Sequence, residues 1–235
     1  MKKQFLFGLH AVKAALKNPQ RKHTALYVTD KSHKTALAFK GTLPSVKVIS
    51  LKELEQKIPS QSIHQQVVLE TTPIAPFSLE DICAQAKNDA TIVVLDQVTD
   101  PHNVGAILRS CAAFGSIALV VTANHGADTS SAVLAKVASG ALEVVPILEE
   151  VNLSQTMDTL KEYGFWCYGL DEEGEETLGK IKLDGKVALF FGAEGPGLRR
   201  LTKEKCDVML RLPTTDQFST LNVSNTVAVA LFATR

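Results

Sequence analysis

The first 70 residues switch repeatedly between helical and strand-like spacing of apolar positions. Leu9, Val12, Ala15 and Leu16 recur at intervals of three or four residues, which predicts a helix. Three short runs rich in Val, Ile, Leu or Tyr predict strands, and two amphipathic runs between them predict helices. The predicted strands are 25–29, 46–49 and 66–70, and the predicted helices are 34–40 and 51–57. This pattern predicts a small α/β domain over residues 1–70.

Residues 71–78 contain Pro73 and Pro76 and interrupt this pattern, so we interpret them as a linker. A second domain, residues 79–235, is expected to follow. After a predicted helix at 79–87, six apolar runs alternate with helical segments. These runs are 91–96, 117–121, 142–146, 165–169, 187–191 and 208–212. Near-continuous apolar strands between helices indicate a mostly parallel sheet covered on both faces, whose ligands bind beyond the carboxyl ends of the strands.

Composition is that of an ordinary globular protein, with 45% hydrophobic and 21% charged residues among 235. No apolar run approaches the roughly 20 residues that span a bilayer, and the N-terminal apolar patch is too short for a secretory signal. Four scattered cysteines show neither metal-ligand nor redox-pair spacing. We therefore expect a cytoplasmic protein with buried free thiols, no membrane contact and no metal.

The formal net charge of zero hides an asymmetry along the chain. Residues 1–70 carry 12 Lys and Arg against 4 Asp and Glu, whereas the remaining residues carry 13 against 21. A basic module joined to an acidic one suggests that the first module meets a polyanion such as RNA. The alternative is a lysine-rich surface that is merely solvated.

Three segments that follow predicted strands carry clusters of polar residues or glycines. In the first, residues 95–110, Asn103 is expected to cap a helix whose buried stripe faces away from Arg109. The simpler interpretation there is a capping Asn and a solvent-facing Arg. The second, residues 190–201, places Glu194 among three glycines, more than a tight turn requires. The third, residues 212–228, has more polar groups at the start of a helix than one cap requires.

Together, the three segments resemble the signature motifs of the SpoU family, within the SPOUT superfamily of RNA methyltransferases. The matching residues are Asn103, Gly105, Arg109, Gly192, Glu194, Gly195, Gly197 and Leu221 to Ser224. Residues 7–12 and 136–141 are also similar to SpoU enzymes that methylate a guanosine ribose in large-subunit ribosomal RNA, so the resemblance covers nearly the whole chain. The sequence departs from the pattern at Thr215-Asp216-Gln217 and at Asn225.

The resemblance implies a small α/β RNA-binding domain, then a SPOUT domain with a C-terminal trefoil knot, forming a homodimer. It implies transfer of a methyl group from S-adenosylmethionine to a ribose 2′-hydroxyl. The catalytic group carried over comprises Arg109, Asn103, Glu194, Asn222 and Ser224, and the cofactor-binding group comprises Gly192, Ala193, Leu212 and Leu221.

The role of Arg109 stays open at this point. A guanidinium remains protonated in ordinary settings, so Arg109 could hold a phosphate, stabilise a developing alkoxide, or act as a base if strongly perturbed. Two alternatives to ribosomal RNA methylation also remain. One is a transfer RNA 2′-O-methyltransferase, and the other is a non-catalytic RNA-binding protein of the same fold.

Overall fold

The computed structural model describes residues 3–37, 39, 45–59, 62, 64–215, 217 and 220–235. Its elements, in chain order, are β1 (Gln4–Phe7), α1 (Leu9–Ala15), β2 (His23–Val28), α2 (Asp30–Leu37), β3 (Ser45–Val48), α3 (Leu51–Glu55), β4 (Val67–Thr71), α4 (Leu79–Gln85), β5 (Ala90–Asp96), α5 (Pro101–Phe114), β6 (Ala118–Thr122), α6 (Ala132–Val137), a 3₁₀ turn (Ala141–Glu143), β7 (Ile147–Glu150), α7 (Leu153–Glu162), β8 (Trp166–Leu170), β9 (Glu176–Thr177), β10 (Lys186–Gly192), α8 (Arg200–Lys205), β11 (Val208–Arg211) and α9 (Val223–Phe232). The predicted end of the 34–40 helix lies outside the described residues.

The chain forms two compact units. The first comprises Met1–Ala75 with Thr129–Val144, and the second comprises Pro76–Asp128 with Val145–Arg235. These bounds differ from the expected domains 1–70 and 79–235, because α6 and the 3₁₀ turn belong to the first unit. No helix among the described residues has the length and apolar character needed to span a bilayer.

The first unit contains a four-stranded sheet in the order β1-β4-β2-β3. Its β1 strand was not predicted from the sequence. Strand β4 runs antiparallel to both of its neighbours, and β2 pairs with β3 in parallel. Leu6, Leu26 and Leu69 pack with α1 on one face, and Phe7, Tyr27 and Val68 pack with Leu54 of α3 on the other. The sheet therefore buries both of its faces.

One predicted strand of the second domain is wrong. Residues 142–146 do not form a strand, and the sheet instead takes β7, which starts at Ile147. Gly140, at φ +98°, turns the chain into the 3₁₀ turn, and Leu142 then packs on the core of the first unit. Its neighbour Glu143 pairs with Arg21. The apolar residues of this segment cover the core of the first unit and are not part of the parallel sheet. The local spacing of apolar residues is the same in both cases, so the sequence alone could not distinguish this segment from a strand.

The second unit contains a seven-stranded sheet in the order β7-β6-β5-β10-β8-β11-β9, with every described pair parallel. The expected parallel sheet is confirmed, although the sequence predicted neither β7 at its actual position nor the two-residue β9. Side chains alternate between faces along a strand. Thus Ile92 and Phe190 pack with α4 and α7, and α5 and α9 lie against β6 and β10 respectively. At the centre of the sheet, six of the seven residues of β5 and five of the seven residues of β10 are buried.

The four cysteines are free thiols, as expected, and three of them are buried. Burial raises the pKa of the Cys83 thiol to about 11 and that of the Cys111 thiol to about 12. Both thiols therefore stay protonated at neutral pH and act as small apolar core groups.

We predict that Arg21→Met destabilises the first unit by about 3–5 kcal/mol, since it leaves the Glu143 carboxylate buried without its cation. The two side chains are 1% and 6% exposed, with 2.8 Å between Arg21 Nε and Glu143 Oε2. Urea unfolding followed by circular dichroism measures the loss. Lys182→Met is the control, because the Lys182–Asp184 pair is exposed and its loss should cost at most about 1 kcal/mol. Equal losses in the two variants would contradict the prediction.

Candidate functional site

The loop that follows β10 folds back onto the end of its own strand. Gly197 N donates to Ala193 O at 3.0 Å. A Cβ placed on Gly192 would lie 1.9 Å from Gly197 C and 2.1 Å from Leu198 N, so a larger residue at Gly192 would displace this backbone. Gly195 and Gly197 adopt φ +88° and +67°, which L side chains rarely do. Glycine is therefore required here for two different reasons, close approach at Gly192 and left-handed backbone at the other two.

The fold brings Asn103, Glu194 and Asn222 together from three distant parts of the chain. The amide nitrogens of Asn103 and Asn222 both donate to Glu194 Oε1, at 2.9 and 2.6 Å. Asn222 Nδ2 also lies 3.1 Å from Asn103 Oδ1. Each of the three predicted motifs contributes one of these residues, and we call them the amide–carboxylate cluster. Glu194 Oε2 accepts no hydrogen bond from any residue that the structure describes, so it can accept one from a ligand.

Ser224 joins the cluster through Asn222, which caps helix α9. Asn222 Oδ1 accepts hydrogen bonds from Ser224 N at 2.9 Å and from Ser224 Oγ at 2.5 Å. Capping uses the amide oxygen Oδ1, so the amide nitrogen Nδ2 stays free to donate to Glu194. Asn222 thus serves both as the cap and as part of the cluster, as its surplus of polar neighbours in the sequence suggested.

Asn103 does not cap helix α5, contrary to the sequence-based expectation. Asp100 is the cap, and its carboxylate accepts from His102 N at 2.8 Å, with Pro101 as the first helical residue. Proline suits that position because its missing N–H has no helical partner there. Asn103 therefore lies in the first turn, where its side chain is free to reach Glu194.

Arg109 is exposed, and Val104, Ile107 and Leu108 of the same helix are buried, as the helical spacing predicted. Its side chain forms no ion pair or hydrogen bond with the residues described. Six residues separate it from Asn103, which places it about 9 Å along the helix and about 120° around it. Within this chain, Arg109 therefore stands apart from the amide–carboxylate cluster.

Next to the cluster is a cavity of about 930 Å³ at the carboxyl ends of β8, β10 and β11. All four residues predicted to bind a cofactor line it: Gly192, Ala193, Leu212 and Leu221. Glu194 and Asn222 line it as well. In the third motif, Asp216, Phe218 and Ser219 lie outside the described residues.

One wall of the cavity was not predicted from the sequence. It is formed by residues 170–173, which follow β8, and by Lys203 of α8. Lys203 Nζ lies 2.6 Å from Asp171 Oδ2, and this pair holds the wall to the helix. The signal was available, since polar residues begin directly where the apolar β8 ends, at the edge where parallel sheets bind ligands.

Comparison with known proteins agrees with this geometry. Residues 90–232 match the sequence model of the SpoU rRNA Methylase family. The chain is 36% identical to the 23S rRNA (guanosine-2′-O-)-methyltransferase RlmB of Pseudomonas aeruginosa, over 97% of this chain and 94% of that protein. It is also 36% identical to the protein of the same name from Vibrio parahaemolyticus, over 99% and 96%.

A solved structure shares the fold. The SpoU methyltransferase AviRb from Streptomyces viridochromogenes, in complex with AdoMet, superposes with a TM-score of 0.84 at 20% identity, covering 99% of this chain and 89% of that one. The match of the family model over more than half of the chain, together with full-length relatives at 36% identity, leads to one conclusion: the chain belongs to the SpoU rRNA methylase family.

Proposed function

We propose that this chain transfers a methyl group from S-adenosylmethionine to the ribose 2′-hydroxyl of a guanosine in large-subunit ribosomal RNA. The observation that carries the proposal is the amide–carboxylate cluster beside a cavity of about 930 Å³, in a member of the SpoU family. The relatives named for this activity match nearly the full length of both chains. An enzyme with this substrate works in the cytoplasm.

The cavity suits S-adenosylmethionine, which supplies an electrophilic methyl group when bound. Leu170, Phe191, Leu212 and Leu221 provide the apolar surface that an adenine needs, and the backbone of Gly192–Gly197 adds donors and acceptors close to it. The acidic wall at Asp171 and beyond suits a ligand that carries positive charge. We assign Gly192, Ala193, Leu212 and Leu221 to cofactor binding on this basis, without a metal.

Two groups are candidates for handling the hydroxyl proton. Arg109 is an exposed cation without a partner among the described residues, so it is free to hold a phosphate or to stabilise the developing alkoxide. Glu194 Oε2 has an unused lone pair and is a chemically ordinary proton acceptor, whereas a guanidinium stays protonated. Asn103 and Asn222 hold Glu194 in place, and Ser224 supports Asn222.

The first unit is proposed to bind the RNA, because residues 1–70 carry 12 basic against 4 acidic residues. Ribosomal RNA is preferred over transfer RNA because the relatives that share this unit are named for 23S ribosomal RNA. A non-catalytic RNA-binding role is disfavoured, because it would not need the amide–carboxylate cluster beside the cavity.

A homodimer and a trefoil knot complete the proposal. Helix α9 buries Val227, Ala230 and Leu231, but leaves Val229 and Phe232 45% and 69% exposed. Exposed apolar residues at positions 229 and 232, one turn apart on this helix, suit an isologous contact with a second copy. The knot is proposed from family membership, and the close approach of Gly174 to the backbone of Leu210 suits a threaded chain.

We predict that Gly192→Ala weakens S-adenosylmethionine binding at least about tenfold, or about 1.4 kcal/mol, because the loop must move off Gly192. Gly164→Ala is the control. Gly164 has φ +82°, a backbone conformation that L side chains rarely adopt, so a substitution there is strained. However, no atom lies within 4 Å of the position that its Cβ would take. It should lose stability and keep its affinity. Calorimetric titration with a chelator present measures both variants, and loss of wild-type binding in the chelator would refute metal independence.

We predict that Arg109→Ala abolishes methyl transfer while leaving cofactor affinity and unfolding free energy within about 0.5 kcal/mol of the wild type, since the side chain is exposed. Single-turnover assays with saturating large-subunit ribosomal RNA measure the chemistry. Arg109→Lys keeps the charge and loses the planar fork. An active lysine variant indicates a point-charge role, and an inactive one indicates bidentate contact or a base. Near-normal turnover by the alanine variant would remove Arg109 from the mechanism.

We predict that the wild type scatters light at micromolar concentration as about twice its chain mass of 25.4 kDa, and that Phe232→Lys shifts it toward the monomer. Leu201→Lys is the matched control, because Leu201 is 64% exposed and lies on α8. A monomeric wild type, or equal effects of the two substitutions, would overturn the proposed interface.

A further inference from the structure

Asp96 carries the one buried acidic or basic side chain among the described residues of the second unit. It ends strand β5 after the apolar run 92–95, and its carboxylate is fully shielded from solvent. Three donors satisfy it: Arg199 Nε at 2.6 Å, Thr202 Oγ1 at 2.7 Å and Arg199 N at 3.2 Å. Arg199 and Thr202 lie at the start of helix α8, directly after the loop that carries Glu194.

Both ends of the loop, residues 192–199, are therefore fixed at the same position of the sheet, next to Asp96. It leaves the sheet at Gly192, which is the register partner of Asp96 in the β10–β5 pair. It returns at Arg199, whose backbone and side chain both bond to the Asp96 carboxylate. Between these ends, Glu194 is exposed to solvent, where loop residues are ordinarily mobile.

We propose that Asp96 is a positioning residue for methyl transfer. By anchoring the return of the loop, it holds Glu194 Oε1 between the amides of Asn103 and Asn222. The inference rests on the proposed function, in which the amide–carboxylate cluster orients the reacting groups.

The cost of burying Asp96 supports this role. A buried ion pair is often no more stabilising than apolar residues of similar volume, so stability alone does not favour a carboxylate here. A carboxylate does offer several directional acceptor sites, which can fix a guanidinium, a backbone N–H and a hydroxyl at the same time. The Asp96 carboxylate therefore fixes the positions of Arg199 and Thr202 relative to the sheet.

The test uses the full-length protein with Asp96→Asn, Arg199→Gln and the double substitution. Asparagine keeps the shape of Asp96 and removes its charge. Arg200→Gln is the matched control, because the neighbouring Arg200 makes only an exposed pair with Glu204. Single-turnover methyl transfer is measured at saturating S-adenosylmethionine and RNA, and hydrogen exchange is measured for the backbone amides of residues 193–198, except Pro196, which has none.

Each single substitution is expected to slow methyl transfer by roughly 10- to 100-fold at saturation, since small misplacements at a reacting centre have effects of this size. The double variant should be no slower than the slower single variant, because both break one anchor. Amides 193–198 should exchange faster in Asp96→Asn, and Arg200→Gln should behave as the wild type.

Two results would overturn the proposal. One is wild-type rates in folded Asp96→Asn and Arg199→Gln at saturating cofactor and RNA, including rates that are slow at low cofactor and restored at saturation. The other is additive losses in the double variant. Restoration by cofactor would mean that the anchor serves binding alone. If Asp96→Asn does not fold, Arg199→Gln decides, because its side chain is half-exposed. If the wild type transfers no methyl group, the proposed function fails, and unchanged exchange at 193–198 in Arg199→Gln would then separately refute the anchor.

Discussion

The close contact between Gly192 and the backbone of Gly197 and Leu198 is the constraint on which the candidate site depends. Because Gly192 has no Cβ, the chain can leave β10, turn and pass back over the strand end within van der Waals range. That turn places Glu194 in the lining of the cavity and returns Arg199 to Asp96. A side chain at Gly192 would separate the cavity wall from the sheet that supports it.

The parallel sheet explains why distant parts of the chain converge on this point. All strands of a parallel sheet end at the same edge, so the segments after β5, β8, β10 and β11 emerge side by side. Asn103 and Glu194 are 91 residues apart in sequence, and yet they are hydrogen-bonded. The catalytic potential of the site thus comes from a rigid apolar scaffold with short polar segments at one edge.

Much of this arrangement could be predicted from the sequence because it depends on local features, namely runs of apolar residues and the polar residues and glycines that follow them. The apolar runs at β5, β6 and β10 are rich in Val, Leu and Phe and follow the rule for strands buried on both faces. Asn103, Glu194 and Asn222 were identified because the segments that follow these strands contain clustered polar residues and glycines, and because these segments resemble the SpoU motifs. By contrast, the wall at 170–173 was missed because acidic residues after a strand look like any solvated turn.

By itself, the sequence determined the α/β class, the parallel sheet, the exposure of Arg109 and the residues that meet beside the cavity. Only the tertiary structure decided that residues 129–144 fold with the first unit, and that Asp100 rather than Asn103 caps α5. The physical reason is the range of the interactions. Apolar periodicity is local and survives in the sequence, whereas the Arg21–Glu143 pair joins positions 122 residues apart, and the Asp96–Arg199 pair joins positions 103 apart. Such contacts exist only once the chain has folded.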